Sequence, residues 1–390
     1  MNKKKILNDP VYGFVAIPSP LIFDIIEHPY FQRLRRINQL GLTHFVYPGA
    51  LHTRFQHAIG AMHLTGQALE VLRAKGHDIS EEEAEGVRLA ILLHDIGHGP
   101  YSHTLERTII NGVSHEEISS CIMQKLNNEF GGKLDLALAI FEDRYHKKFL
   151  HELVSGQLDM DRMDYLNRDS FFTGVYEGVI GYDRIIKMLE VKDDRLVVEA
   201  KGIYSIEKFI IARRLMYWQV YLHKTVLAAE QMLHKALERA KVLSKKRELF
   251  ATPPLAFFLQ NEVSKEDFLH SSEVLTYFTK LDDHDVFAAV KVWADDQDPV
   301  LRTLCQSLVA RHLFKVRLQN VPIPANAVQA LREKASRVFG ISPEDGHFLV
   351  LSDSTQNHAY HKGSENIYIL FKDGTVQDIA DASDQLNISV

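Results

Sequence analysis

One twelve-residue stretch of this 390-residue chain places three histidines and an aspartate directly after an apolar run. The apolar run is residues 89–93, and the polar side chains that follow it are those of His94, Asp95, His98 and His103. An apolar helix has no reason to end in unpaired titratable groups, because burying several imidazoles without partners is unfavourable. Imidazole and carboxylate together suit a borderline divalent ion such as Zn, Fe, Mn or Ni. The stretch therefore predicts a metal site.

The spacing within this stretch is compatible with one ion. His94 and Asp95 are adjacent on the predicted helix, and His98 follows His94 by four residues, on the same face. Gly97 and Pro100 are then expected to end the helix, because neither residue type supports a helix interior. The chain beyond residue 100 can accordingly fold back over the site.

Composition narrows the class of protein. The hydrophobic fraction of 46% is ordinary for a protein with a large core. A net charge of −6 argues against a general nucleic-acid-binding surface, so local clusters of Arg, Lys and His would recognise phosphates. Only two cysteines occur, Cys121 and Cys305, which excludes a disulfide framework and fits a reducing compartment. With no signal-peptide pattern and no run of about 18 apolar residues, we expect a cytoplasmic protein without a membrane partner.

Hydrophobic periodicity predicts a mainly α-helical fold with small β-hairpins. Residues 10–20, rich in Pro and Gly, are predicted to form a short hairpin or an extended arm. From Leu21 to about Glu190, apolar residues recur at intervals of three and four, which is typical of helices. Asp193-Asp194, placed between two short apolar segments, predicts a hairpin at that point.

The second half of the chain is predicted to be helical and then to change period. One helix is expected over residues 205–246, with its first residue, a serine, as N-cap, and shorter helices follow it. Segments 348–351 and 367–371 are predicted to be strands of a small α+β region. We therefore predict a helical core over residues 1–245 and an accessory helical and C-terminal α+β region over residues 246–390.

Three further clusters of polar residues can complete the metal site. They are residues 52–57, 114–117 and 159–169. In the third cluster Asp161 is the favoured ligand, because Arg162, Asp164 and Arg168 follow it closely and can supply counter-charges and supporting hydrogen bonds. An acidic run alone is more often a solvated helix face, but the distant His-Asp pair still lacks ligands. Another acidic run, residues 282–285, is more typical of a helix N-terminus than of a cation site.

The pattern of His57, the doublet His94-Asp95, and Asp161 resembles the H…HD…D signature of the HD-domain metal-dependent phosphohydrolases. The flanking blocks resemble the deoxynucleoside triphosphate (dNTP) triphosphohydrolase branch, which includes the mammalian protein that joins a SAM domain to an HD domain. These blocks are residues 31–41, 47–50, 53–57, 94–103 and 159–169. The resemblance covers roughly residues 10–230, and it implies a helical HD core that releases deoxynucleoside and triphosphate from a dNTP.

The resemblance also implies roles for individual residues. The implied metal ligands are His57, His94, Asp95 and Asp161. Phosphate contacts and acid catalysis are implied for Arg54, Arg162, Arg213, His98, His103, His115 and Glu116, with Arg162 replacing a lysine that is common in relatives. The sugar end is implied to contact Gln39, Tyr165, Asp169 and Tyr221. Mg on the nucleotide phosphates, a homo-oligomer, and a nucleotide effector near Arg33, Arg35 and Arg36 are further implications.

The residue chemistry agrees with phosphoryl transfer but leaves alternatives open. A divalent ion polarises a phosphoryl oxygen, and Arg and His neutralise the charge that spreads over the phosphate oxygens. Either His103 or His115 can protonate the leaving oxygen, and sequence does not choose between them. The alternatives are an HD-type phosphomonoesterase or phosphodiesterase acting on nucleotides, and a nucleotide-sensing regulator with little turnover.

Overall fold

The structure, a computed structural model, describes residues 5–101, 108, 112–354 and 366–383. It is mainly α-helical with two small sheets among these residues, as the periodicity predicts. Strands β1 (Ile6–Asp9) and β2 (Gly13–Ala16) form an antiparallel hairpin. The carboxylate of Asp9 accepts hydrogen bonds from the backbone N–H groups of Val11 and Tyr12, which closes the turn. The predicted N-terminal hairpin is confirmed, although it begins at Ile6.

The central part of the fold is a set of packed helices. In chain order they are α1 (Pro20–Glu27), α2 (Pro29–Gln32), α3 (Arg54–Ala74), α4 (Glu81–Leu93), α5 (His115–Glu129), α6 (Asp135–Phe141), α7 (Lys148–Glu152), α8 (Met160–Thr173) and α9 (Tyr182–Met188). Short 3₁₀ helices at Arg33–Arg36 and Gly41–Phe45 connect α2 to α3. Helix α3 packs against both α4 and α8. It is therefore buried on several sides, which explains why it has no single apolar stripe.

A second sheet joins distant parts of the chain. Strands β3 (Leu189–Lys192) and β4 (Arg195–Glu199) form the predicted hairpin, with Asp193 and Asp194 both at positive φ. Strand β5 (Tyr368–Leu370) pairs in parallel with β4, and β6 (Val376–Asp378) pairs antiparallel with β5. The C-terminal strands thus extend the β3–β4 hairpin into one sheet of order β3-β4-β5-β6.

The predicted helix over residues 205–246 is in fact two helices, α10 (Ile203–Met216) and α11 (Lys224–Ser244). Between them Tyr217–Tyr221 forms a π-helical turn, which lets the N–H of Leu222 bond to the carbonyl of Tyr217 at 2.7 Å. The side chain of His223 then accepts from the N–H of Thr225 and starts α11. The expected N-cap at Ser205 is also wrong, because the helix already begins two residues earlier.

The remaining helices follow α11. They are α12 (Pro253–Gln260), α13 (Lys265–His270), α14 (Ser272–Phe278), α15 (Asp283–Trp293), α16 (Pro299–Val309), α17 (Ala325–Phe339) and α18 (Ile379–Ala382). The strand predicted at 348–351 is wrong. Glu344–Phe348 is a 3₁₀ helix, and the N–H groups of Leu349 and Val350 bond to the carbonyl of Gly346 instead of to a neighbouring strand. The strand predicted at 367–371 is confirmed as β5.

Candidate active site

Two imidazoles and two carboxylates converge where α3, α8 and the end of α4 meet. The Nε2 atom of His57 lies 3.0 Å from an oxygen of Asp161 and 3.8 Å from one of Asp95. The Nε2 atom of His94 lies 3.4 Å from Asp161 and 3.3 Å from Asp95. His57 is fully buried and Asp95 is buried, whereas His94 and Asp161 are partly exposed to solvent. The structure therefore brings together the four side chains that the sequence predicts as ligands.

The hydrogen bonds of the two histidines fix which nitrogen carries the proton. The Nδ1 of His57 lies 2.7 Å from a carboxylate oxygen of Asp164, and the Nδ1 of His94 lies 2.6 Å from the carbonyl of Ile91. Because both acceptors require an N–H donor, the neutral form of each imidazole keeps its lone pair on Nε2. Both Nε2 atoms are buried, and no described group is in hydrogen-bonding geometry with either. Lone pairs facing carboxylate oxygens repel each other unless a cation lies between them, so the donor set fits a divalent metal.

The electrostatics of the cluster also favour a positive charge. Burial lowers the pKa of His57, but the adjacent carboxylates of Asp161 and Asp164 outweigh burial and raise the pKa to about 10. Burial also lowers the pKa of His94, but the carboxylates of Asp95 and Asp161 outweigh burial and raise the pKa to about 8. Without a metal the carboxylates thus draw protons onto the imidazoles. The same negative field would attract a divalent ion.

A buried ionic network holds His57 from behind. Asp164 accepts two hydrogen bonds from the guanidinium of Arg168, at 2.8 and 2.9 Å, and Arg168 also donates to Asp9 at 2.7 Å. A Cβ at Gly60 of α3 would lie 2.0 Å from Asp164, so this position needs glycine. The sequence placed Asp164 and Arg168 near Asp161, whereas the structure shows that they orient His57. Asp9 carried no sequence signal for this role beyond its place in a turn.

The loop after α4 carries the second group of polar side chains. Helix α4 ends at Leu93, earlier than the glycines predicted. The ring of His98 stacks on that of His115, the first residue of α5, with centroids 3.9 Å apart, and its Nε2 lies 3.4 Å from Asp95. Glycine is needed at Gly97, where a Cβ would lie 2.2 Å from the carbonyl of His115. Asp95, His98 and His115 therefore form a second cluster, next to the first.

The three arginines predicted to bind phosphate differ in position. Arg54 pairs with the predicted ligand Asp95 at 2.5 Å and therefore borders the candidate metal cluster. Arg162 pairs with Asp159, the N-cap of α8. Arg213 donates to the side-chain oxygen of Gln157 at 2.7 Å. Glu116 lies beside His115, with 3.3 Å between Oε1 and Nε2. The predicted His103 lies outside the described residues.

Of the four residues predicted for the sugar end, Asp169 lies at the centre. The hydroxyl of Tyr221 donates to one oxygen of Asp169 at 2.7 Å, and the Nε2 of His52 lies 2.7 Å from the other. The Tyr165 and Tyr221 rings lie 6.1 Å apart, and the backbone N–H of Gln39 bonds to the carbonyl of His52. Sequence reasoning missed the role of His52. Its position in the 52–57 cluster, one residue before the N-cap of α3, was the available signal.

The arginines predicted near an effector are not equivalent. Arg33 is fully buried, and its guanidinium donates to backbone carbonyls. Arg36 pairs with Asp282, and Arg35 covers the ring of Phe55 at 3.5 Å while remaining exposed. Only Arg35 and Arg36 thus reach the surface.

The helical fold and the H…HD…D cluster indicate an HD-domain protein, and the comparison with known families agrees. The HD domain family matches residues 54–169, and the HD associated region matches residues 180–250. The chain therefore belongs to the HD-domain phosphohydrolases.

Three relatives place the chain more closely. A phosphohydrolase from Bacteroides thetaiotaomicron VPI-5482, known as a crystal structure, is 54% identical with a TM-score of 0.95, over 99% of this chain and 96% of that one. An uncharacterized protein of Bacillus subtilis (strain 168), YwfO, is 31% identical over 97% of this chain and 88% of its own length. A deoxynucleoside triphosphate triphosphohydrolase SAMHD1 homolog from Dictyostelium discoideum is 31% identical over 60% of this chain. The match covers 49% of that homolog, about half its length.

Among the described residues, the helices include none with the length and apolar character that crossing a bilayer requires.

Proposed function

We propose that this protein hydrolyses dNTPs to deoxynucleoside and triphosphate, with the HD core of residues 1–245 carrying the site. One observation carries the proposal. Asp161, Tyr165 and Asp169 follow one another at four-residue intervals on α8, about 6 Å apart along the helix axis. This spacing gives a metal ligand, an aromatic ring and a sugar-binding carboxylate along one helix. The similarity to the Dictyostelium triphosphohydrolase supports the same substrate class.

His57, His94, Asp95 and Asp161 are the proposed ligands of one divalent ion, Zn, Fe, Mn or Ni. Such an ion supplies a Lewis acid that polarises a phosphoryl oxygen and makes water more acidic. Asp164 keeps His57 in the tautomer that leaves Nε2 free to bind, and the carbonyl of Ile91 does the same for His94.

The phosphate chemistry is assigned to side chains in and around the two clusters. Water attacks the α-phosphorus, and the bond between phosphorus and the 5′-oxygen breaks. Arg54, Arg162 and His98 hold the phosphate oxygens and offset the charge that grows on them. His115, stacked on His98 beside Glu116, or His103 gives its proton to the departing 5′-oxygen. Deoxynucleoside and triphosphate then leave together.

The sugar contacts are assigned to Asp169, Tyr165, Tyr221 and Gln39. Asp169 is buried and both its oxygens already have partners, His52 and Tyr221, so its position is fixed before a nucleotide binds. The side-chain oxygen of Gln39 is buried and has no hydrogen-bond partner among the described residues. A sugar hydroxyl is a suitable donor for it.

The test is product analysis. The metal-loaded protein is incubated with dNTPs, NTPs and nucleoside monophosphates, singly and as mixtures, because an effector nucleotide can be needed. Chromatography then identifies the phosphate species. Release of intact triphosphate from a dNTP is the expected result. Release of pyrophosphate or monophosphate favours the phosphomonoesterase or phosphodiesterase alternative. Binding without metal-dependent turnover under all conditions favours a nucleotide-sensing regulator.

A further inference from the structure

The loop that carries His98 is tied to a part of the chain nearly 200 residues away. The guanidinium of Arg33 donates to the carbonyls of Ile96 and His98, at 3.3 and 2.7 Å, and also to the carbonyl of Leu281 at 2.7 Å. The same guanidinium lies 4.7 Å from the centre of the Phe278 ring. Because Arg33 is fully buried, these contacts are shielded from water. Arg33 therefore joins the loop to the segment that precedes α15.

Asp283, the first residue of α15, contacts the same loop at Tyr101. One oxygen of its carboxylate accepts from the N–H of Tyr101 at 3.1 Å, and the other accepts from the N–H of Asn38 at 2.8 Å. Asp283 is only 5% exposed. Tyr101 has a φ of 51°, a left-handed conformation that a tyrosine adopts only when its surroundings hold it. The carboxylate of Asp283 thus holds the residue at which the loop turns.

The acidic run 282–285 accordingly has two uses. It starts α15, as the sequence predicts, because Asp282 accepts from the N–H of His284. It also turns one carboxylate away from the helix and toward the loop. Residues 278–283 lie outside both segments matched by the HD domain and the HD associated region. Neither match therefore accounts for this contact.

We propose that Asp283 is a positioning residue for the phosphohydrolase site, a role that rests on the proposed function. By holding the N–H of Tyr101, it fixes the loop from which the His98 ring stacks on His115 and approaches Asp95. By holding the N–H of Asn38, it fixes the residue next to Gln39. The accessory region thereby sets the geometry of side chains that contact the phosphates.

The metal ligands depend on other contacts. His57 is oriented by Asp164, His94 by the carbonyl of Ile91, and Asp95, which lies in the loop itself, by the guanidinium of Arg54. Loss of Asp283 should accordingly leave the metal in place while the loop relaxes. A retained metal with a lowered kcat is the signature that separates positioning from general support of the fold.

The experiment compares Asp283→Ala with Asp285→Ala in the full chain. Asp285 belongs to the same helix N-terminus, where it accepts from the N–H of Asp282, but it has no hydrogen bond or ion pair with the described loop residues 94–101. For Asp283→Ala we expect kcat for triphosphate release to fall roughly 10- to 100-fold, because a displacement of about 1 Å has such an effect. The metal content should remain unchanged and KM should stay within about threefold. Asp285→Ala should keep kcat within about twofold of the wild type.

Hydrogen–deuterium exchange gives a readout that does not need turnover. The amide of Tyr101 should exchange faster in Asp283→Ala, while amides of α8 keep their protection. If Asp283→Ala does not fold, Asp283→Asn replaces it, because the amide oxygen can still accept one of the two N–H groups. This variant should show an intermediate kcat and intermediate exchange at Tyr101.

Two results would overturn the proposal: unchanged exchange at Tyr101, or a kcat that falls only in step with lost metal. A wild-type protein that releases no triphosphate contradicts the proposed function instead. In that case the exchange of Tyr101 and the metal content still decide whether Asp283 holds the loop.

Discussion

His57 and His98 both face the carboxylate of Asp95, but His57 and the loop that carries His98 are held from different directions and by different chemistry. Behind His57 lies a buried network of charged side chains, Asp164, Arg168 and Asp9. Behind the loop, Arg33 and Asp283 bind backbone carbonyls and N–H groups. The difference follows from what each must orient. A metal ligand needs one imidazole nitrogen directed and its tautomer fixed, whereas a loop needs its peptide groups held.

The two supports also come from different parts of the chain. The His57 network uses α3, α8 and the N-terminal hairpin, whereas the loop contacts Asp283 at the start of α15. Metal binding and catalytic geometry should therefore respond separately to mutation. The predictions below test that separation.

The largest expected effect is at the metal ligands. Asp95→Ala removes the carboxylate that contacts both clusters, so metal content and turnover should both be lost, with kcat reduced by at least about 10³-fold. Elemental analysis of the purified variant measures the metal. Asp78→Ala, at an exposed carboxylate, is the control and should keep full metal. Stoichiometric metal at the same site in Asp95→Ala would show that the ligand set is wrong.

The next effect tests whether the support of His57 is ionic. Arg168→Met leaves Asp164 and Asp9 buried without their cation, which should lower the free energy of unfolding by about 3–5 kcal/mol. Urea denaturation measures it. Arg144→Met breaks the ion pair of an exposed arginine with Glu142 and should change stability by less than about 1 kcal/mol. Equal effects of the two substitutions would remove the contrast between the buried network and an ordinary surface pair.

A smaller effect concerns pH and the support of the loop. Burial raises the pKa of Asp283 to about 6, and the negative charge of Asp282 contributes to this rise. The N–H groups of Asn38 and Tyr101 and the positive charge of Arg54 lower the pKa, but by less. The folded protein thus binds this proton more tightly than the unfolded chain, and the stabilisation is present below pH 4 and lost as pH rises through 6. Relative to Asp283→Asn, the wild type should therefore gain about 2–3 kcal/mol of unfolding free energy between pH 7 and pH 4.

Parallel denaturation series of the two proteins across this pH range measure the difference, and most other titrating groups cancel in it. If the difference in unfolding free energy between wild type and Asp283→Asn did not change with pH, the folded and unfolded protein would bind the proton of Asp283 equally well. A wild type that loses stability relative to the variant on acidification would show an ordinary, lowered pKa.

The smallest effect lies at the sugar end, away from both supports. Tyr221→Phe removes one hydrogen bond to Asp169, worth about 1 kcal/mol, so KM for a dNTP should rise about fivefold with the metal unchanged. Steady-state kinetics with dNTP and NTP measure both KM and the choice of sugar. Tyr204→Phe, at an exposed tyrosine of α10, is the matched control. A loss of metal in Tyr221→Phe would mean that the sugar end and the metal cluster are not independent.

Much of the site was predictable because its parts are local patterns. The apolar run before His94-Asp95, the Thr53 and Asp159 caps that start α3 and α8, and the Asp193-Asp194 turn each determine geometry within a few residues. The four proposed ligands lie in three separated motifs, and the resemblance to a known signature linked them. The helical fold follows from the 3.6-residue period.

Tertiary structure alone decided which charges meet. The sequence carries Asp164, Arg54 and Asp283, but their partners His57, Asp95 and Tyr101 lie between 41 and 182 residues away along the chain. The same holds for β5, whose pairing with β4 no local pattern encodes. Periodicity and capping describe the energy of a segment with itself, whereas these contacts depend on how helices pack and which groups lose water together. The sequence by itself determined most of the helices and pointed to the proposed ligands, and packing determined how each of these side chains and the loop are held.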